Sequence, residues 1–122
     1  EKEIKMKMGV YAIYDIKADA FMTPLFMVND DVAIRNFVTA CINPESMFYM
    51  HAQDFVLYHS DDWDDGKGRF VGDGHKREIG NGLDLMQRFI EQLERTQKVQ
   101  EKIGKLTEGS RMPGSNGEDL NA

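Results

Sequence analysis

Val10-Tyr11-Ala12-Ile13-Tyr14-Asp15-Ile16-Lys17 is the stretch whose reading decides the fold. From Met8 onward two rows alternate: Met8, Val10, Ala12, Tyr14 and Ile16 on one side, Tyr11, Ile13, Asp15 and Lys17 on the other. A period of two built from β-branched and aromatic residues marks a strand, because successive side chains of extended backbone point to opposite faces. Both rows contain apolar residues. A sheet holding such a strand must be covered twice, by helices on both sides or by a partner subunit.

Working outward, Lys17 to Ala20 reads as a short connection and Phe21 to Val28 as a second strand. Pro24 has no N–H to give, which places that strand at an edge or a bulge. Asn29 then caps a helix whose first turn carries Asp30 and Asp31, where the helix dipole favours acids. Ile34, Phe37, Val38, Cys41 and Ile42 recur at helical spacing as one apolar stripe. Asn43-Pro44 ends this helix and can start a short second one bearing Met47, Phe48 and Met50. A third strand is expected from about Asp54 to Ser60, a turn over Asp61 to Gly68 and a returning strand from Arg69 to Gly72, since Asp-Gly between apolar runs signals a hairpin. A small strand is expected at Arg77 to Ile79. From Leu83 the apolar positions Leu83, Met86, Phe89, Ile90 and Leu93 share a helix face, and the stripe resumes, shifted, at Val99, Ile103 and Leu106.

These elements predict an α+β fold: an antiparallel sheet of about four strands, a short helix-helix insert at 29–50 and a long C-terminal helix at about 83–106. Residues 1–106 form one domain in this reading, and 107–122, rich in Gly, Ser, Asn and acids, form a disordered tail. A helix of about 24 residues is about 36 Å long, more than strands of this size can cover, which points to a homo-oligomer.

Composition narrows the function classes. With 122 residues the chain has room for one core, and 41% hydrophobic with 10% aromatic residues argues for a folded globule. The single cysteine, Cys41, excludes an internal disulfide and fits a reducing cytoplasm. Apolar runs fall far short of the roughly 20 residues needed to span a bilayer, and no leader pattern precedes the first strand, so no membrane role is expected. The formal charge of −6 opposes long-range attraction to nucleic acid. The tail contributes −2 of this, from Glu108, Glu118 and Asp119 against Arg111, and the remainder of the chain is still acidic at −4.

Motifs for chemistry are weak. A calcium loop started at Asp61 would put Trp63 at a ligand position and Gly72 where a bidentate Glu belongs. His51, Asp54 and His59 lack a second pair at metal-ligand spacing, and Gly72-Asp73-Gly74 lacks the lysine and hydroxyl of a phosphate cradle. Cys41 lies on an apolar helix face, where a buried, inert thiol is expected. No enzyme activity, catalytic residue, cofactor or metal is therefore expected. The basic residues Lys67, Arg69, Lys76 and Arg77 cluster around the hairpin and following loop, and Tyr11, Tyr58 and Trp63 could stack on unpaired bases if exposed beside them. By composition alone a solvated hairpin is the simpler reading, because single-strand binders usually show a more basic face.

Tyr11-Ala12-Ile13-Tyr14-Asp15, Lys17-Ala18, Pro24, Asn29, Ala33-Ile34-Arg35-Asn36-Phe37, Asn43-Pro44, His51, Asp54-Phe55 and Leu57-Tyr58 resemble the small nonstructural protein of gokushovirus-type microviruses, tailless bacteriophages with single-stranded DNA genomes. The likeness runs from about Met6 to Val71 and fades beyond Gly72, where the long helix and tail look like a variable extension. The resemblance implies a protein of the infected bacterial cytoplasm that binds single-stranded DNA during replication or the switch to single-strand synthesis and packaging. It implies no catalytic residues. Arg35 is the matched basic residue that could contact phosphate; its ordinary alternative is pairing with Asp31 or Asp15. The competing expectation is an acidic, oligomeric interaction module that docks on the replication initiator, a capsid precursor or host machinery without binding DNA.

Overall fold

In the computed structural model, which describes residues 7–109, the strand read first runs from Lys7 to Asp15 (β1). The chain turns at Ile16–Asp19 into β2 (Ala20–Phe21) and continues to β3 (Leu25–Met27). Asp15 builds that turn by accepting the backbone N–H groups of Lys17 and Ala18, and Asp19 adopts φ +55°, a left-handed conformation that Asp tolerates. Pro24 falls in the gap between β2 and β3, as its missing N–H requires. Both short strands pair antiparallel with the same edge of β1.

Asn29 caps α1 (Asp30–Ile42), its side chain accepting the Val32 N–H at 2.9 Å. Ala33, Phe37, Val38 and Cys41 are its buried residues, while Ile42 is exposed. The short second helix does not form. Residues 43–50 instead make successive turns, closed by Ser46 N–H to Asn43 O, Tyr49 N–H to Ser46 O and His51 N–H to Phe48 O. Asn43 and Ser46 each accept, on a side-chain oxygen, the N–H two residues on, the local bond that competes with a helical ladder. A single 3-10 turn at Ala52–Asp54 leads into β4 (Phe55–Asp64).

β4 is longer than expected. Asp61 to Asp64 belong to the strand, paired with Lys7 to Val10 of β1, and the turn shrinks to residues 65–68. Asp64 organises it: its carboxylate accepts from Gly66 N–H and Lys67 N–H, its carbonyl accepts from Gly68 N–H, and Gly68 takes φ +66°. β5 (Arg69–Phe70) and β6 (Arg77–Asn81) both pair with β4. The six strands therefore fill four positions, β2/β3, β1, β4 and β5/β6, all antiparallel. This is the expected α+β sheet.

The last residue of β6, Asn81, caps α2 (Gly82–Gly109) by accepting the Asp84 N–H at 2.9 Å, so strand passes directly into helix. The helix takes in Thr107 to Gly109, where composition predicts the start of a disordered tail; the rest of that segment lies outside the described residues. The chain comprises two compact units, one ending at Arg88 and the other beginning at Phe89. In the first unit Tyr11, Leu57, Phe55, Phe37, Cys41 and Leu85 form one core between the sheet and the helices. Burial pushes the Cys41 thiol up to about 11, which keeps it protonated and inert.

Candidate nucleic-acid interface

The two faces of the sheet differ in kind, and irregularities in the strands create the difference. In β1, Tyr11 and Ile13 face the helices, whereas Met8, Val10, Ala12 and Tyr14 occupy the opposite face. Along β4, Val56 and Tyr58 pair with Tyr14 and Ala12 on that opposite face. The register then shifts between Val10 and Tyr11, leaving Ser60 as an extra residue in β4. Beyond this bulge Trp63 pairs with Met8 and joins the same face as Tyr58. Phe70 follows opposite Trp63, Phe26 opposite Val10, and Phe21 opposite Tyr14.

The result is an aromatic face in two groups. Tyr14 and Phe21 lie 4.8 Å apart between ring centroids and Phe21 and Tyr58 5.3 Å. Trp63 lies 5.1 Å from Phe70 and 5.9 Å from Phe26, and Phe26 and Phe70 are near-parallel at 29°. Val10, Ala12 and Val56 at the centre are buried, yet Phe21, Phe26 and Phe70 remain 43%, 45% and 54% exposed. Such a row of solvent-facing rings has an apolar cost that a ligand can relieve. Lys76 holds its ammonium 5.5 Å from the Phe21 centroid, a cation–π contact that sets a positive charge beside the rings. The Tyr14 hydroxyl donates to Asp19. Asp61 and Glu78 also belong to this face; Asp61 is occupied locally, its carboxylate accepting from Asp62 N–H and Gly72 N–H at 2.7 Å each.

On the helix side an open cleft of about 510 Å³ is lined by Lys7, Tyr11, Asn29, Asp30, His59 and Arg77, among others. Here the Tyr11 hydroxyl donates to Asp30 Oδ1 at 2.7 Å and Arg77 Nη2 pairs with Asp30 Oδ2 at 2.9 Å. Partial burial alone would raise the Asp30 carboxyl. The Tyr11 hydroxyl and the Arg77 guanidinium outweigh it and hold that carboxyl below its ordinary range. Burial, then the Asp30 bond, raises Tyr11 well above a free phenol. His59 Nε2 lies 2.9 Å from Asp62 Oδ1 and its ring meets Tyr11 edge-on. These groups tie α1, β1, β4 and β6 together.

The residues singled out from sequence separate accordingly. Tyr11 is only 2% exposed and cannot stack on a base; it is a core residue whose hydroxyl anchors Asp30. Arg77 is committed to Asp30 on the helix side. Arg69, opposite Asp64 in the register, also lies off the aromatic face, and Lys67 sits in the exposed turn. Arg35 is exposed on α1 and pairs with neither Asp31 nor Asp15. Tyr58 and Lys76 are the candidates that the fold brings together, both beside Phe21. Phe21, Phe26 and Tyr14 were not anticipated as platform residues. Phe21 and Phe26 have opposite parity, and only the break at Pro24 places them on one face. Among the described residues no group of three His, Cys, Asp or Glu is placed to hold a metal, and no helix is long and apolar enough to cross a membrane.

The surface is thus a set of partly exposed rings beside a cation, carried on a small curled sheet. The chain belongs to the Phage ORF5 protein family, whose model matches residues 8–85. The match extends beyond Val71, where the likeness read from the residues stops, and takes in β6 and the start of α2. No curated protein and no solved structure matches the chain.

Proposed function

We propose that this phage protein binds single-stranded DNA on the aromatic face and serves as a non-catalytic accessory factor in replication or in the switch to single-strand synthesis and packaging. The reading places it in the cytoplasm of the infected bacterium and, by the resemblance of its first strands and helix, in gokushovirus-type microviruses. The observation that carries it is the run of exposed Phe21, Phe26 and Phe70 with half-buried Tyr14, Tyr58 and Trp63 between them and Lys76 at one end. Unpaired bases stack on exposed rings of a sheet, and each such stack is worth about 1–3 kcal/mol whatever the base. Stacking also suits an acidic chain, since it does not depend on a broad basic field. Duplex DNA offers no free base faces, so single strands are preferred.

Titration of fluorescent single-stranded and duplex DNA by anisotropy at low and moderate salt tests this. Single strands are expected to bind more tightly, with Phe21→Ala or Phe70→Ala weakening them by about 1–3 kcal/mol each and Lys76→Glu reducing the salt dependence. Arg77→Glu is uninformative about contact, because it removes the Asp30 partner. Absence of binding at low salt removes the DNA reading. It would leave the module that docks on the replication initiator, a capsid precursor or host protein, which the net charge of −6 favours.

A further inference from the structure

The aromatic face is built twice. In one half Phe21 of β2 stands opposite Tyr14, and Tyr58 of β4 stands opposite Ala12, two residues back along β1. In the other half Phe26 of β3 stands opposite Val10 and Trp63 of β4 opposite Met8, again two residues apart. Each half therefore sets an edge-strand phenylalanine against a ring on β4 across the same interval of β1. Both pairs meet edge to face, Phe21 with Tyr58 at 5.3 Å and 67°, Phe26 with Trp63 at 5.9 Å and 88°. The second pair is the first displaced by four residues of β1, about 13 Å at roughly 3.3 Å per residue. On β4 the same displacement takes five residues, Tyr58 to Trp63, and the bulge at Ser60 absorbs the extra one. Between these two rings β4 places the Asp61 carboxylate on the face, opposite Val10.

We infer that the two halves are separate stacking stations, which hold two non-adjacent bases of one single strand. This rests on the single-strand reading above and adds its geometry. Successive nucleotides of a stacked strand advance about 3.4 Å, so four of them span the interval and a strand drawn out of its stack needs fewer. Nearest neighbours fall short of both stations, and at least one base passes between them unstacked. A site repeated at a fixed interval suits a ligand that is itself a repeat. Sequence matters little to it, because every base has a π-face. Once one base is seated, the strand presents the next to the second station at high effective concentration.

The test uses eight-residue DNA strands that carry two thymines on an otherwise abasic backbone, either adjacent or separated by one, two or three abasic residues. Backbone charge is constant across the series, and an intact eight-base strand is measured alongside. The best spaced strand is expected to bind roughly 5- to 150-fold more tightly than the adjacent one, the effect of one further stacked base. Phe21→Leu and Phe26→Leu each remove one station's exposed ring and keep apolar cover, checked by unchanged near-ultraviolet circular dichroism. Either variant is expected to abolish the advantage of spacing, and each is expected to weaken the intact strand. If the intact strand binds but no spacing gains over adjacent thymines, or only one variant weakens it, the two-station inference is overturned and single-strand binding stands. If the intact strand does not bind, both fall.

Discussion

At the scale of single residues, Asp30 is where helix and sheet are joined. It begins α1, receives the Tyr11 hydroxyl from β1 and pairs with Arg77 of β6. Its carboxyl is held below the ordinary carboxylate value of about 4 in the folded state. A depressed carboxylate stabilises the fold fully above its unfolded value, and that stabilisation disappears as pH falls through the folded value. Thermal melts should therefore show no Asp30 contribution to pH dependence near neutrality and a loss of stability below about pH 4. Asp30→Asn should flatten that acid limb and lower the melting temperature at neutral pH. An unchanged acid limb in the variant would show that other carboxylates govern it.

At the scale of elements, the junctions are tighter than composition suggests. A Cβ on Gly82 would sit 2.7 Å from the Ala52 carbonyl oxygen and 2.9 Å from Cys41 Sγ, so Gly82→Ala should cost about 1–3 kcal/mol in urea denaturation. Gly104 in the same helix has open space around it, and Gly104→Ala should instead raise helicity, worth about 1 kcal/mol. A similar loss at both positions would contradict the packing of strand end against helix start. Sequence patterning anticipated β1, the Asn29 cap and the long helix because each rests on local periodicity or a side chain bonding its own backbone. The second short helix failed where Asn43 and Ser46 offered the backbone local bonds instead. The platform was hidden for a different reason. Alternation puts Trp63 with Leu57 and separates Phe21 from Phe26, and only the bulge at Ser60 and the gap at Pro24 reset the parity. Such resets depend on which strand pairs with which, and that is not a local property of either segment.

At the scale of the molecule, the sheet is two-sided in a way the first strand foreshadowed, but its faces differ in what covers them. One carries the core with α1 and the start of α2, and the other presents rings to solvent. Of the cations singled out from the sequence, Lys76 is the one set beside the rings. Trp63 is the chain's one tryptophan and stands in the middle of one ring group, between Phe26 and Phe70. Its fluorescence therefore reports directly on occupation of the face. Titration with an unlabelled single-stranded oligonucleotide should quench it progressively and saturably, with Phe70→Ala shifting the midpoint to higher concentration and duplex DNA quenching weakly. Fluorescence that stays constant while the oligonucleotide binds would place DNA elsewhere on the protein, and no binding at all would remove DNA as the ligand of this face.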